Sequence, residues 1–246
     1  MAGLKVPQKQ ADQQFPRGPY AISADAVAAD QRRRMLEALP SAVAEKGFEA
    51  TTVEHIVKLG QVRRNSFYEQ FADKRDCFSA AYEIAQERLF GVLTFQCYTR
   101  AGLVDRVDAA LGAGLDLLGT TPSLARLVFI EAPAAGGEIA ARHQEWLDRY
   151  TRLLRLASVG SPEVATPRPA LEPAIVGALI SRVKQLILAG EAEDLPRLLP
   201  ELVQLTLSYY GLPEPPGDPL RISAGGDGVE SSQPQSPGRR KVLEPA

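Results

Sequence analysis

The sequence predicts an all-α protein in two parts, a three-helix head followed by a larger helical body. Three observations predict it. Between Gln31 and Tyr82 one long amphipathic segment precedes two short helical segments separated by a tight turn, the layout of a helix-turn-helix. From Asp73 to Tyr210 apolar residues recur at three-and-four spacing in several consecutive segments, each stopped by Gly or Pro. Both ends of the chain are polar and rich in Pro, Gly or Ser, and so predict no packed structure. The expected boundaries are an arm over 1–24, a helix-turn-helix head over 25–76, a body over 77–211 and a tail over 212–246.

In the head, Met35, Leu36, Leu39, Val43 and Ala44 form the inner stripe of helix 1, and Gly47 provides a left-handed stop near Lys46. Ser23 caps a lead-in through Ala24 to Asp30. Pro40 falls inside this helix, where it removes an amide hydrogen bond at a cost of about 3 kcal/mol, and predicts a kink between Leu36 and Pro40. Thr51 or Thr52 offers a hydroxyl to the first amides of helix 2, whose Val53, Ile56, Val57 and Leu59 pack on helix 1. Gly60 closes helix 2. Helix 3 runs from Arg63 to Phe71 with Phe67 and Phe71 inward, leaving Arg63, Arg64, Asn65 and Ser66 outward. Arginine pairs with guanine and asparagine with adenine in two-point contacts, so that cluster suits reading of a major groove. His55 is expected on the surface of helix 2, with a phosphate contact as the alternative.

The pattern Thr51-Thr52, Val62, then Phe67-Tyr68-x-x-Phe71-x-x-Lys74 resembles the DNA-binding head of the TetR family of transcriptional regulators. The resemblance implies phosphate contacts from Tyr68 and Lys74. The candidate DNA-binding set is therefore Thr51, Thr52, Arg63, Arg64, Asn65, Ser66, Tyr68 and Lys74. One departure stands in the turn, where the family carries glycine directly before the valine. This chain has Gln61 there and Gly60 one step earlier.

Helix 4 runs from Asp73 toward Arg100, with Phe78, Ala81, Tyr82, Ala85, Leu89, Val92 and Leu93 on one stripe, and links head to body. Further helices are expected over Val104–Leu118, Ser123–Glu131 and Glu138–Ala157, then a loop SVGSPEVATPRP, then Glu172–Ala189 and Asp194–Tyr210. The last two carry wide apolar faces, which suggests a four-helix interface between two copies through Ile175, Leu179, Val183, Leu186, Leu198, Leu202, Leu205 and Tyr209. The resemblance implies the same homodimer; a hairpin in the core of one chain is the alternative. The resemblance also implies an effector pocket, for which Phe90, Tyr98, Arg126, Phe129, Glu131, His143 and Trp146 are the candidates.

Charge and composition narrow the function. The net charge of −2 and pI near 5.8 argue against coating of nucleic acid by bulk charge. From Gln31 to Asp76 nine Lys/Arg (Arg32, Arg33, Arg34, Lys46, Lys58, Arg63, Arg64, Lys74, Arg75) stand against seven Asp/Glu (Glu37, Glu45, Glu49, Glu54, Glu69, Asp73, Asp76), a balance of +2 that must act by placement. Lys5, Lys9 and Arg17 of the arm would follow a DNA groove or belong to a solvated tail. Cys77 and Cys97, about 30 Å apart along one helix, cannot pair and fit a reducing compartment. The first twenty residues hold no apolar leader, and no stretch approaches the roughly 18 to 20 apolar residues of a membrane span. A cytoplasmic protein is expected. Phosphate loops, metal-ligand spacings and nucleophile elbows are missing, so neither enzyme nor cofactor nor metal is expected. With these features, the resemblance implies a ligand-responsive repressor, released from a palindromic double-stranded DNA operator by a small molecule. The alternative is an interaction protein of the same fold that has lost operator binding.

Overall fold

The computed structural model describes residues 23–161, 164 and 171–212. Residues 1–22 of the expected arm, the expected tail beyond Leu212 and most of the loop after Ser158 lie outside the described residues. Among the described residues there is no β-strand, and no helix is long and apolar enough to cross a membrane.

Helix α1 spans Ala24–Ala50, and the Ser23 hydroxyl caps it by accepting from the Ala26 N–H at 3.1 Å. Its dihedrals stay helical through Pro40; the single interior break is Gly47, at φ 78° and ψ 162°, a conformation open essentially to glycine alone. The chain therefore bends at the predicted stop and keeps helical dihedrals from Leu36 to Pro40. Helices α2 (Val53–Leu59) and α3 (Arg64–Gln70) follow, and Met35, Leu39, Val43, Ile56, Val57, Phe67 and Phe71 form the head's core. Leu59 departs from expectation. It is exposed, because Gly60 rather than Leu59 meets helix α1.

The turn between α2 and α3 explains that exchange. A Cβ on Gly60 would come within 3.2 Å of the Arg34 carbonyl oxygen, so glycine is needed there for close approach. The positive φ falls on Gln61, at 53°, which is the single non-glycine residue in that region among those described. Arg34 Nη1 donates to the Gln61 carbonyl at 3.2 Å and pins the turn to α1. Close approach and positive φ are thus split between two residues, Gly60 and Gln61.

Helix α4 (Lys74–Thr99) begins at Asp73, whose Oδ1 accepts from the Arg75 and Asp76 amides, and carries Phe78, Tyr82 and Leu89 into the same core. Helix α5 (Leu103–Thr120) packs along it. Next come α6 (Pro122–Arg126), a π turn (Leu127–Glu131) and the short α7 (Ala132–Ala134), then α8 (Gly137–Ser158) and α9 (Glu172–Ala189). The last segment divides into a 3-10 turn (Ala192–Leu198) and α10 (Leu199–Tyr209). Pro196 and Pro200 are the reason the α-helix starts later than the predicted Asp194, since each lacks an amide hydrogen.

The wide apolar faces of α9 and α10 turn largely into the chain's own interior. Val183, Leu198 and Leu202 are buried within one copy, which corrects their place in the expected dimer interface. Ile175, Leu179, Leu186, Leu205 and Tyr209 are only half-buried, and Leu188, absent from that set, is 63% exposed. Arg182 and Glu201 form an ion pair that joins the two helices on the outside.

Candidate functional site

Helix α3 presents Arg63, Arg64, Asn65 and Tyr68 to solvent, beside the exposed Thr52 and Lys58 of α2. Tyr68 is 50% exposed while its neighbour Phe67 is fully buried, so a role in the core is closed to Tyr68. The Arg64 guanidinium lies 5.8 Å from the Tyr68 ring centroid, and the Tyr68 hydroxyl holds the arginine above its ordinary pKa. The Thr52 hydroxyl accepts from the His55 N–H at 3.2 Å, so it caps α2 as one of the two predicted threonines was expected to do. His55 is more enclosed than predicted, with Nε2 3.0 Å from Glu45 Oε2, and ties α2 to α1.

Three members of the predicted DNA-binding set belong to the framework instead. Ser66 is buried, one position short of the exposed side of α3. Thr51 is buried as well, and its hydroxyl donates to the carbonyls of Gly47, at 2.7 Å, and Ala42, at 3.2 Å. Lys74 Nζ donates to the carbonyls of Phe48 (3.0 Å), Glu49 (2.8 Å) and Thr51 (3.1 Å), and sits 4.7 Å from the centre of the Phe48 ring. The last turn of α1 has no basic residue of its own, so a lysine from α4 satisfies its free carbonyls and opposes its negative dipole end. All three ammonium donors are used in this way, which leaves no free donor for a phosphate.

The body holds a partly open cavity of about 140 Å³ between α4, α5, α8, α9 and α10. Leu93, Leu111, Leu115, Phe129, Ile180 and Leu202 are among its walls, and apart from the hydroxyls of Tyr150 and Thr206 and the thiol of Cys97 the lining is hydrocarbon. Thr206 donates to the Leu202 carbonyl at 2.8 Å, and Tyr150 donates to Gln86 Oε1, so neither hydroxyl hydrogen is free. Behind Tyr150 a buried polar chain continues: Gln86 Nε2 donates to the Tyr82 hydroxyl at 2.7 Å, and that hydroxyl lies 3.0 Å from His143 Nδ1. Burial raises both tyrosine hydroxyls well above their ordinary range. It lowers the imidazole, with the charge of Lys184 adding to the effect. The Cys77 thiol is pushed up to about 12 by burial, which makes a reactive thiolate unfavourable there.

Of the predicted pocket residues, Phe129 alone lines this cavity. Tyr98 is 74% exposed and points away from the interior. Phe90 and Trp146 pack edge to face, with ring centroids 5.7 Å apart, beside Tyr150 and under the Arg149 guanidinium, and form an outer layer of the wall. His143 ends the polar chain. Arg126 and Glu131 sit at the junction with the head, where Glu131 Oε1 accepts from Arg126 Nε at 3.0 Å and Oε2 from the Phe48 N–H at 3.0 Å. The walls from α5, α9 and α10 escaped the sequence reading. One signal was present: Gly114 in the middle of apolar α5, where a Cβ would come within 2.8 Å of Leu93 Cδ2, marks close packing of α5 on α4.

A buried three-helix core that offers an exposed α3 beside a sharp turn, on a helical body with no strand among its described residues, has the architecture of a helix-turn-helix regulator. Residues 36–81 match the family model of bacterial regulatory proteins, tetR family. By this match the head, residues 36–81, is a TetR-family DNA-binding domain. Solved structures agree in fold. The fatty acid degradation regulator FadR from Bacillus halodurans is 20% identical, with a TM-score of 0.62 over 71% of this chain and 97% of that one. FadR from Bacillus subtilis, in complex with stearoyl-CoA, is 17% identical, with a TM-score of 0.64 over 72% and 98%. SmeT, the repressor of the Stenotrophomonas maltophilia multidrug efflux pump SmeDEF, is 20% identical, with a TM-score of 0.60 over 74% and 92%. Among curated protein sequences none matches.

Proposed function

We propose that this chain is a dimeric repressor that binds a palindromic operator through α3 and leaves it when a largely apolar small molecule fills the body. The observation that carries the reading is the cavity, a hydrocarbon-lined space with no charged side chain in its wall, in a chain whose head presents Arg63, Arg64, Asn65 and Tyr68. Apolar walls with few polar groups favour a ligand that is mainly hydrocarbon. A long acyl chain has that chemistry, and the stearoyl-CoA carried by the B. subtilis FadR structure is of that kind. At about 140 Å³ the space is smaller than the roughly 300–1,000 Å³ of ordinary ligand sites, so an acyl chain must move the walls apart to enter. That displacement gives the ligand a differential affinity between two states, which release of DNA requires.

A twofold operator needs two heads about 34 Å apart. The outer faces of α9 and α10, with Gly177, Ser181, Leu188, Gln204 and Ser208 exposed, offer the surface for pairing two copies. The Gln61 turn and the unbroken passage through Pro40 favour retained operator binding over a head that has lost it. The test is a gel shift with duplex from upstream of the chain's own gene, repeated with stearoyl-CoA. Retarded DNA that is freed by the ligand supports the reading, and failure to retard this duplex better than random DNA rejects it.

A further inference from the structure

The π turn Leu127–Glu131 touches both functional regions. Its Phe129 is a wall of the cavity, and two residues later Glu131 accepts a hydrogen bond from the Phe48 N–H of the head. Glu131 is 7% exposed, and a Cβ on Gly47 would lie 3.6 Å from its Oε2, so the carboxylate rests directly on the break in α1. The stretch from Phe48 to Thr51 is thus held from two sides: Glu131 takes its amide hydrogen, and Lys74 takes its carbonyls. That stretch leads straight into Thr52, the cap of α2, and so sets where the helix-turn-helix begins. Arg75 reinforces the junction by donating to the Ala135 carbonyl at 3.1 Å while lying 5.2 Å from the Phe48 ring centre.

We infer that Glu131 is the positioning residue through which filling of the cavity reaches the DNA-binding head. The inference rests on the reading that the cavity takes a ligand, and it names the regulation of that site. A π turn carries one residue more than an α turn, so its extra residue can move along the helix without the helix coming apart. A shift of one residue turns a side chain by about 100° and moves it about 1.5 Å along the axis. Displacing Phe129 from the cavity side therefore carries Glu131 away from Phe48. Because both groups are buried, their separation leaves an amide and a carboxylate without this bond, and the junction has two distinct states rather than a graded range.

The test uses the full chain without ligand or DNA, with hydrogen exchange of residues 47–52 as the readout. Leu115→Phe fills the cavity from α5, and Val183→Leu fills it independently from α9; each is taken forward once its thermal transition is cooperative. Either filling is expected to speed exchange at Phe48 to Thr51 at least tenfold. Glu131→Ala alone should speed it to the same extent, and Leu115→Phe added to Glu131→Ala should give no more. Glu131→Gln keeps an acceptor for the Phe48 N–H and should restore the response to filling. Unchanged exchange at 47–52 in both filled variants overturns the inference, as do effects of Leu115→Phe and Glu131→Ala that multiply. Affinity for the upstream duplex, measured in parallel, separates the two readings. Faster exchange with unchanged DNA affinity keeps the link and rejects release of DNA, whereas lost affinity with unchanged exchange keeps release and rejects Glu131 as its route.

Discussion

The head and the body of this molecule keep their candidate functional residues in opposite places. In the head, the candidate reading residues lie on the outside of α3 and the framework closes beneath them; in the body, the candidate site is a space between five helices and the π turn. An outward face is a local property, set by spacing within seven residues of one helix. A cavity belongs to helices far apart in sequence, and their apolar faces look alike whether they meet each other, a ligand or a second copy. The difference explains why α9 and α10 carry so much apolar surface: part of it walls a space rather than joining two chains.

The sharpest way to break this comparison is to charge the two sides of α9 and α10. Leu202→Glu and Val183→Glu bury an unpaired carboxylate and should cost several kcal/mol of folding stability, seen as a large fall in melting temperature. Leu188→Glu, on the exposed side, should leave melting of the single chain unaltered and shift sedimentation toward the monomer. Monomers with an unchanged melt from Leu202→Glu would return these residues to the interface.

Lys74 sharpens the comparison inside the head. Replacement by Met removes a charged donor from three carbonyls and should lower stability by about 1–3 kcal/mol in a denaturant titration. A lysine used for phosphate alone would weaken DNA binding and leave the denaturation midpoint where it was. Arg64→Ala should weaken operator binding by about 1–3 kcal/mol and relax preference at one position per half-site, if this arginine reads a base. Equal losses on operator and random duplex would assign it to phosphate contact.

How much was legible follows the same division. The stop at Gly47, the Ser23 cap, the inward Phe67 and Phe71 and the outward Arg64 could all be read from local spacing and turn chemistry, whereas the outward Tyr68 was implied by the family resemblance. Ser66 was misplaced because a helix of seven residues leaves a narrow margin between faces. Thr51 and Lys74 were misread because their partners are backbone carbonyls brought close by folding, which no side-chain pattern records. In the body, helix positions were legible and helix partners were not. Tyr98 shares a helix with the cavity wall yet lies on its far side, and Glu131 serves the head rather than the pocket.

Two smaller effects refine the picture. The folded state lowers the pKa of His143 below its ordinary value, so an unfolded chain binds the proton first. Stability from this group is complete above about pH 6.5 and is lost as pH falls from there through the lower folded value. His143→Asn should flatten that part of the stability curve, measured by denaturant midpoints from pH 7.5 to 5. Gln61→Gly relieves a left-handed side chain worth roughly 1 kcal/mol, partly offset by the freedom glycine gains when unfolded, and should raise the melting temperature slightly. A lowered melting temperature would mean that the Gln61 side chain contributes more than its backbone strain costs.

The central claim is that the interior space and the outer helix are coupled through one chain. Calorimetry of stearoyl-CoA binding to the free protein and to its complex with the upstream duplex tests it most directly, because linkage requires a ligand that weakens DNA binding to bind the complex more weakly by the same factor. The account predicts weaker binding to the complex, by the factor with which the ligand lowers DNA affinity. Saturable binding with equal affinity in both states would contradict it.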